Sequence, residues 1–270
     1  MMSALGCEEV NSAAGRPGTA LGLWQAPPVT ITTLGSRFLA AFNDIEKHVR
    51  GHLKADERIS FTQLAREYAE KKRLPSQHKS ALVAFASLRN AISHGTYYGG
   101  RPIAEPVEAV VQEIERLRQQ MLEPPRALHV LPHGEVRTVR PSDPVGTALD
   151  LVRTLGFSQL PVYDSDGYAG VLTTNAIARW LADQLTKNTG IAEEEPVSHV
   201  LRFAEPGENA VLVPRAITVV EAIDRLSSGR QAGQLSTALI ITENGRRTDK
   251  PLRLVAPYDL PLLTAALAIT

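Results

Sequence analysis

Gly170-Val-Leu-Thr-Thr-Asn-Ala-Ile177 and Leu252-Arg-Leu-Val-Ala-Pro-Tyr-Asp-Leu260 are two versions of one phrase, a short apolar run that ends at a helix start. The same context precedes both. Gln159-Leu-Pro-Val-Tyr-Asp164 and Ala238-Leu-Ile-Ile-Thr-Glu243 are apolar strands that lead into turns, at Asp164 to Gly167 and at Glu243 to Gly245. Further back, Thr147-Ala-Leu-Asp-Leu-Val152 matches Glu221-Ala-Ile-Asp-Arg-Leu226, a helix in each copy. Ser142-Asp143-Pro144 opens the first of these helices, and Thr218 with Glu221 has capping-box spacing for the second. Short β-branched runs alternating with helices and turns signal an α/β unit, and the unit occurs twice.

The texture changes at Pro124-Pro125. Upstream, Phe38, Phe42, Ile45, Val49 and Leu53 recur at spacings of four, three, four and four, the stripe of an amphipathic helix. Ser60 with Gln63 opens a second helix with Phe61, Leu64 and Tyr68 on one face. A third is expected from about His78 to Ser93, with Leu82, Phe85 and Ala86 inward and Gly95 as its left-handed end. After a glycine-rich loop to Pro102, Pro106 is expected to open a fourth, whose stripe runs Val107, Val110, Val111, Ile114, Leu117 and Met121. The fold class is thus α plus α/β. Residues 1–33 read as a flexible tail, 34–123 as a four-helix unit, and 127–270 as the repeat pair, divided at about 190/191.

Composition narrows the partners. Formal charge is zero and 43% of residues are apolar, as in ordinary globular proteins, which argues against a disordered chain and a bulk polyanion binder. Residues 34–126 carry an excess of four positive charges and 127–270 an excess of three negative ones. The one cysteine, Cys7, allows neither an internal disulfide nor a thiolate metal cluster, and a reducing cytoplasm is expected. No basic leader and no apolar run of membrane-spanning length is evident, so secretion and membrane insertion are not expected.

Units that end in Gly-Val-Leu-Thr or Leu-Val-x-Pro-Tyr-Asp-Leu resemble the βαββα halves of a CBS pair, over about 144 residues. The resemblance implies an adenine-type nucleotide as regulatory ligand. In that family the last strand ends in Thr or Ser, and an Asp three residues on receives the ribose hydroxyls. The chemistry suits a diol and a phosphate, since a carboxylate accepts two hydrogen bonds and a hydroxyl with nearby N–H groups holds an oxyanion. The first copy has Thr173 but Ala176, and the second Asp259 but Ala256. Thr173, Asn175 (one residue short of the expected acid) and Asp259 are the candidate ligand contacts.

Leu88-Arg-Asn-Ala-Ile-Ser-His-Gly95 resembles the signature of the HEPN superfamily: Arg, a polar residue, three more, then His, late in a small helical bundle. Arg73 to His78 and Arg126 to His133 have similar spacing but straddle Pro75 and Pro132. Asn90 and His94 lie within about 40° on one helix face, whereas Arg89 is about 140° from His94. One helix cannot aim that Arg and His at one phosphate, which matches the family's habit of building its site at a homodimer interface. The resemblance implies a metal-independent endoribonuclease in which an RNA 2′-hydroxyl attacks the adjacent phosphate. Arg89 would stabilise the phosphorane, Asn90 orient the imidazole, and His94 act as general acid or base, leaving a 2′,3′-cyclic phosphate and a 5′-hydroxyl. Toxin-like relatives carry a Tyr two residues beyond the His; here that position is Thr96, followed by Tyr97 and Tyr98.

No His/Cys/Asp/Glu cluster suggests a metal: His48 and His52 are four apart but lack an acidic third ligand and read as surface or interface residues. Lys71-Lys72-Arg73, Lys79 and Arg101 are possible phosphate contacts, otherwise a solvated face; nothing points to DNA. The combined expectation is a cytoplasmic homodimer in which a nucleotide-sensing CBS pair gates an RNA-cleaving helical domain. The alternative is a non-enzymatic regulator or dimerisation protein that binds nucleotide or RNA without cleavage.

Overall fold

Four amphipathic helices lead the computed structural model, which describes residues 33–94, 96–97, 101–187, 193–228 and 236–269, all within the compact unit Thr33–Thr270. The tail assigned to residues 1–33 (save its last residue), Gly95 as a helix end, and Tyr98 lie outside the described residues. Helix α1 spans Leu34–Leu53, α2 Phe61–Lys71, α3 Ser76–His94 and α4 Glu108–Leu122. Thr33 caps α1 by accepting from the Ser36 amide, and Ser60 caps α2 by accepting from the Gln63 amide. The stripes face inward as their spacing requires: Phe38, Phe42, Ile45 and Val49 meet Leu64, Tyr68, Leu82, Phe85, Ile114 and Leu117 in one core. Each such burial contributes roughly 1.5–3 kcal/mol.

Three local expectations are corrected. Helix α3 begins at Ser76, because the Pro75 carbonyl accepts from the amides of both His78 and Lys79 and so closes the first turn. Helix α4 begins at Glu108; Val107 precedes it with extended backbone and is 62% exposed, having no helical face to turn inward. The glycine-rich segment is not all loop, since strands β1 (Thr96–Tyr97) and β2 (Arg101–Pro102) pair antiparallel within it.

After Pro125 come α5 (Ala127–Val130), α6 (Val145–Leu155), β3 (Gln159–Asp164), β4 (Gly167–Thr173) and α7 (Thr174–Thr186). The second half follows with α8 (Val197–Val200), β5 (Asn209–Pro214), α9 (Val219–Ser228), β6 (Ser236–Thr242), β7 (Pro251–Val255) and α10 (Leu260–Ala265). Strands β5 and β6 are parallel across the α9 crossover and β7 returns antiparallel. In the first half β3 and β4 are antiparallel, and the segment before α6 adds a parallel bridge, Val139 to Val162. Helix α9 has the expected capping box: the Thr218 hydroxyl accepts from the Glu221 amide while Glu221 accepts from the Thr218 amide.

The proline connector is no free linker. Pro125 accepts from the Val219 amide, Ala127 donates to the Ile217 carbonyl, and Ala127 and Leu131 are buried in the core of the second half, not the first. The chain end returns the contact: Ile269 is buried in the helical core. Gln77 and His78 donate to the Leu267 carbonyl, Gln120 reaches the carbonyls of Ala266 and Ala268, and Arg73 pairs with Asp224 on α9.

Candidate functional site

Three places carry candidate chemistry. The first is the last turn of α3. Arg89 directs its guanidinium over the Phe42 ring, 5.9 Å from the centroid, and its Nη1 donates to Asn90 Oδ1 at 3.3 Å. Asn90 is exposed and Arg89 half-buried. The Asn90 oxygen therefore faces the Arg. His94 is the final residue of α3, and its side chain lies outside the description. The competing Arg73/His78 pair resolves differently: His78 is 2% exposed, within α3, and held by the Leu267 carbonyl at 2.8 Å. Burial lowers its pKa.

The second place is the pair of helix starts at Thr173 and Asp259. Thr173 ends β4 as the N-cap of α7, its hydroxyl accepting from the Ala176 amide at 3.0 Å. Asp259 closes the 3-10 turn Pro257–Asp259 ahead of α10, with Oδ2 accepting from the Ala256 amide at 2.9 Å. These are the two halves of a capping box divided between the copies: one keeps the cap residue, the other the acid three residues on. Both side chains are buried, at 3% exposure each, whereas Asn175 is exposed.

The third place, which sequence reasoning missed, is a cleft of about 1110 Å³ between the two halves. Glu135 to Ser142, the turn from Tyr163 to Gly167, and Thr248 to Leu252 of the second half contribute to its walls. Arg140 and Lys250 bring positive charge, Glu135, Asp164 and Asp249 bring carboxylates, and Thr138, Ser142 and Ser165 bring hydroxyls. The Tyr163 hydroxyl is buried without a hydrogen-bond partner, and burial, with Tyr168 and Asp249 nearby, pushes its pKa up to about 12. It is therefore a neutral donor. Across the cleft, Asp249 gathers the amides of Asn244 and Arg246 and the Thr242 hydroxyl, and its pKa is lowered mainly by the Asn244 amide. The halves touch at Gly167, where the Tyr168 amide donates to the Arg247 carbonyl at 2.8 Å. Its φ of 106° and the proximity of the Arg247 backbone leave no room for a side chain. The lining includes none of Thr173, Asn175 and Asp259. The only signal in the sequence is that both turns occupy the same place in their copies, and nothing local says that they face each other.

Among the described residues, no group of three His, Cys, Asp or Glu side chains converges to hold a metal, and no helix is long and apolar enough to cross a membrane.

Residues 129–183 match the CBS-domain family model, so the chain carries a CBS domain there. Solved structures overlap about half of the chain. CBSX2 in complex with AMP is 18% identical, with a TM-score of 0.38, over 53% of this chain and 96% of that one. A CBS domain-containing protein from Kribbella flavida is 14% identical, with a TM-score of 0.39, over 52% and 97%. The CBS domain of a bacterial CNNM/CorC family Mg2+ transporter is 16% identical, with a TM-score of 0.37, over 61% and 87%. No curated protein matches the chain.

Proposed function

We propose that the chain is a nucleotide-responsive regulator in which an α/β pair takes up an adenine-type nucleotide and gates an RNA-cleaving helical domain. CBS domains commonly bind adenine nucleotides. The cleft between the halves suits such a ligand: Arg140 and Lys250 offer charge to phosphates, and the Tyr163 hydroxyl is an unspent donor. Asn175 is the exposed member of the three expected contacts, while Thr173 and Asp259 each hold a helix start, α7 and α10.

The observation that carries the gating is the path of two helices. Asp259 stands at the entrance of α10, whose end runs into the segment that His78, Gln77 and Gln120 grip. His78 lies in the first turn of α3, and Arg89, Asn90 and His94 lie in its last turns. A nucleotide that favours one setting of α10 over another would shift the bundle by that difference in affinity. In a homodimer, Arg89 of one protomer would stabilise the phosphorane while His94 of the other moves the proton; no step needs a metal.

A second reading, a non-enzymatic regulator, is favoured by one contact. Arg89 is already engaged with Phe42 and Asn90, as a structural residue would be.

Cleavage of a labelled structured RNA in EDTA separates the two. Wild type should cut, His94→Ala and Arg89→Ala should not, and AMP, ADP or ATP should change the wild-type rate. Wild type as inert as both variants under every nucleotide leaves the non-enzymatic regulator. A melting temperature unmoved by all three nucleotides removes the sensing role.

A further inference from the structure

The face formed by α1, α2 and α4 carries a cluster that neither nucleotide sensing nor the end of α3 uses. His48 and His52, one turn apart on α1, stack with centroids 6.3 Å apart and 19° between their planes. Both stand edge-on to Tyr68 of α2, at 5.7 and 5.5 Å, and His48 Nε2 shares a 2.9 Å hydrogen bond with the Tyr68 hydroxyl. The rings open onto a shallow groove of about 600 Å³ that Lys47 and Arg118 also line.

The charge around the groove is one-sided. Asp44, the one acid in the lining, is paired with Arg118 of α4 at 2.6 Å. Lys47 on α1, Lys71 at the end of α2 and Lys72 just beyond it have no carboxylate partner among the described residues. Burial and Lys72 hold the His48 pKa down; burial, Lys72, Lys71 and His48 do the same for His52. Like charges have been gathered with nothing to compensate them, at a place where two further donors become cationic when protonated.

We propose that this groove is a binding site for a phosphate group, held by Lys47, His48, His52 and Lys72, with uptake strengthened as the imidazoles protonate. A tetrahedral oxyanion supplies what the cluster lacks: negative charge and several acceptor oxygens for lysine and imidazole donors on α1 and at the end of α2. The site is independent of Arg89, Asn90 and His94, and of the cleft between the α/β halves.

The test is an imidazole NMR titration of the full chain, in inorganic phosphate and in sodium chloride of equal ionic strength. Phosphate should raise the pKa of both His48 and His52, and its affinity should tighten by about threefold to tenfold on going from about pH 8 to about pH 6. Lys72→Gln, on an exposed side chain, should raise both values in chloride by removing a repelling charge, and should abolish the further rise in phosphate. Identical titrations in the two salts, with Lys72→Gln still showing its rise in chloride, overturn the proposal. A short single-stranded oligoribonucleotide tells the sources apart. Binding at these residues tighter than inorganic phosphate, and displaced by it, assigns the site to a polynucleotide backbone; binding no tighter assigns it to a free phosphate or phosphomonoester.

Discussion

His78 Nε2 donates to the Leu267 carbonyl at 2.8 Å, a buried bond that joins the first turn of α3 to the chain's C-terminal segment. His78→Ala removes that bond, leaves the carbonyl only the Gln77 amide and opens a cavity, and should cost about 2–4 kcal/mol in urea unfolding. His78→Gln, which can still donate, should cost less. In either variant, a nucleotide should affect the helical domain less than in wild type.

Acid should destabilise the fold. Burial lowers the pKa of His78, and burial with nearby lysines lowers those of His48 and His52. Each therefore binds fewer protons folded than unfolded, so the stability they carry is complete above the ordinary histidine value of about 6.5 and is lost as pH falls through that value. The urea midpoint should drop between about pH 7 and pH 5, and His78→Gln should flatten part of that slope. A midpoint rising on acidification would contradict these directions.

Splitting one capping box between two copies gives Thr173 and Asp259 unequal weight. Thr173→Ala removes the acceptor for the Ala176 amide and should cost about 1 kcal/mol. Asp259→Ala strands the amide of fully buried Ala256 and should cost about 1–3 kcal/mol, with Asp259→Asn recovering part of it. Chemical denaturation of the three variants checks the order.

Gly167→Ala should be among the more damaging single changes in the α/β part. Its positive φ opposes any side chain, and a Cβ there would strike the Arg247 backbone. We expect a loss of about 2 kcal/mol or more and weaker nucleotide binding, measured by thermal unfolding with and without ligand.

Arg89→Ala forfeits the contact with Phe42, worth about 0.5–1 kcal/mol, so the protein should remain folded. Complete loss of RNA cleavage with so small a change in melting temperature would assign Arg89 to chemistry and not to the bundle's packing.

What the sequence by itself determined was local. The stripe Phe38, Phe42, Ile45, Val49 says which face of α1 is apolar, and Thr218 with Glu221 says where α9 starts, because helical period and cap spacing involve residues a few positions apart. The repeated phrase located the CBS domain for the same reason. It could not say that Thr173 and Asp259 would spend their oxygens on helix starts, since the spacing that suits a ribose also suits a cap. Tertiary structure alone decided that residues 127–131 pack with the second half, that Ile269 enters the helical core, and that two hairpin turns enclose a cleft. Those contacts join distant segments, and the junction at Leu267 is made to a backbone carbonyl, a group every residue possesses, which leaves no mark in the pattern of side chains.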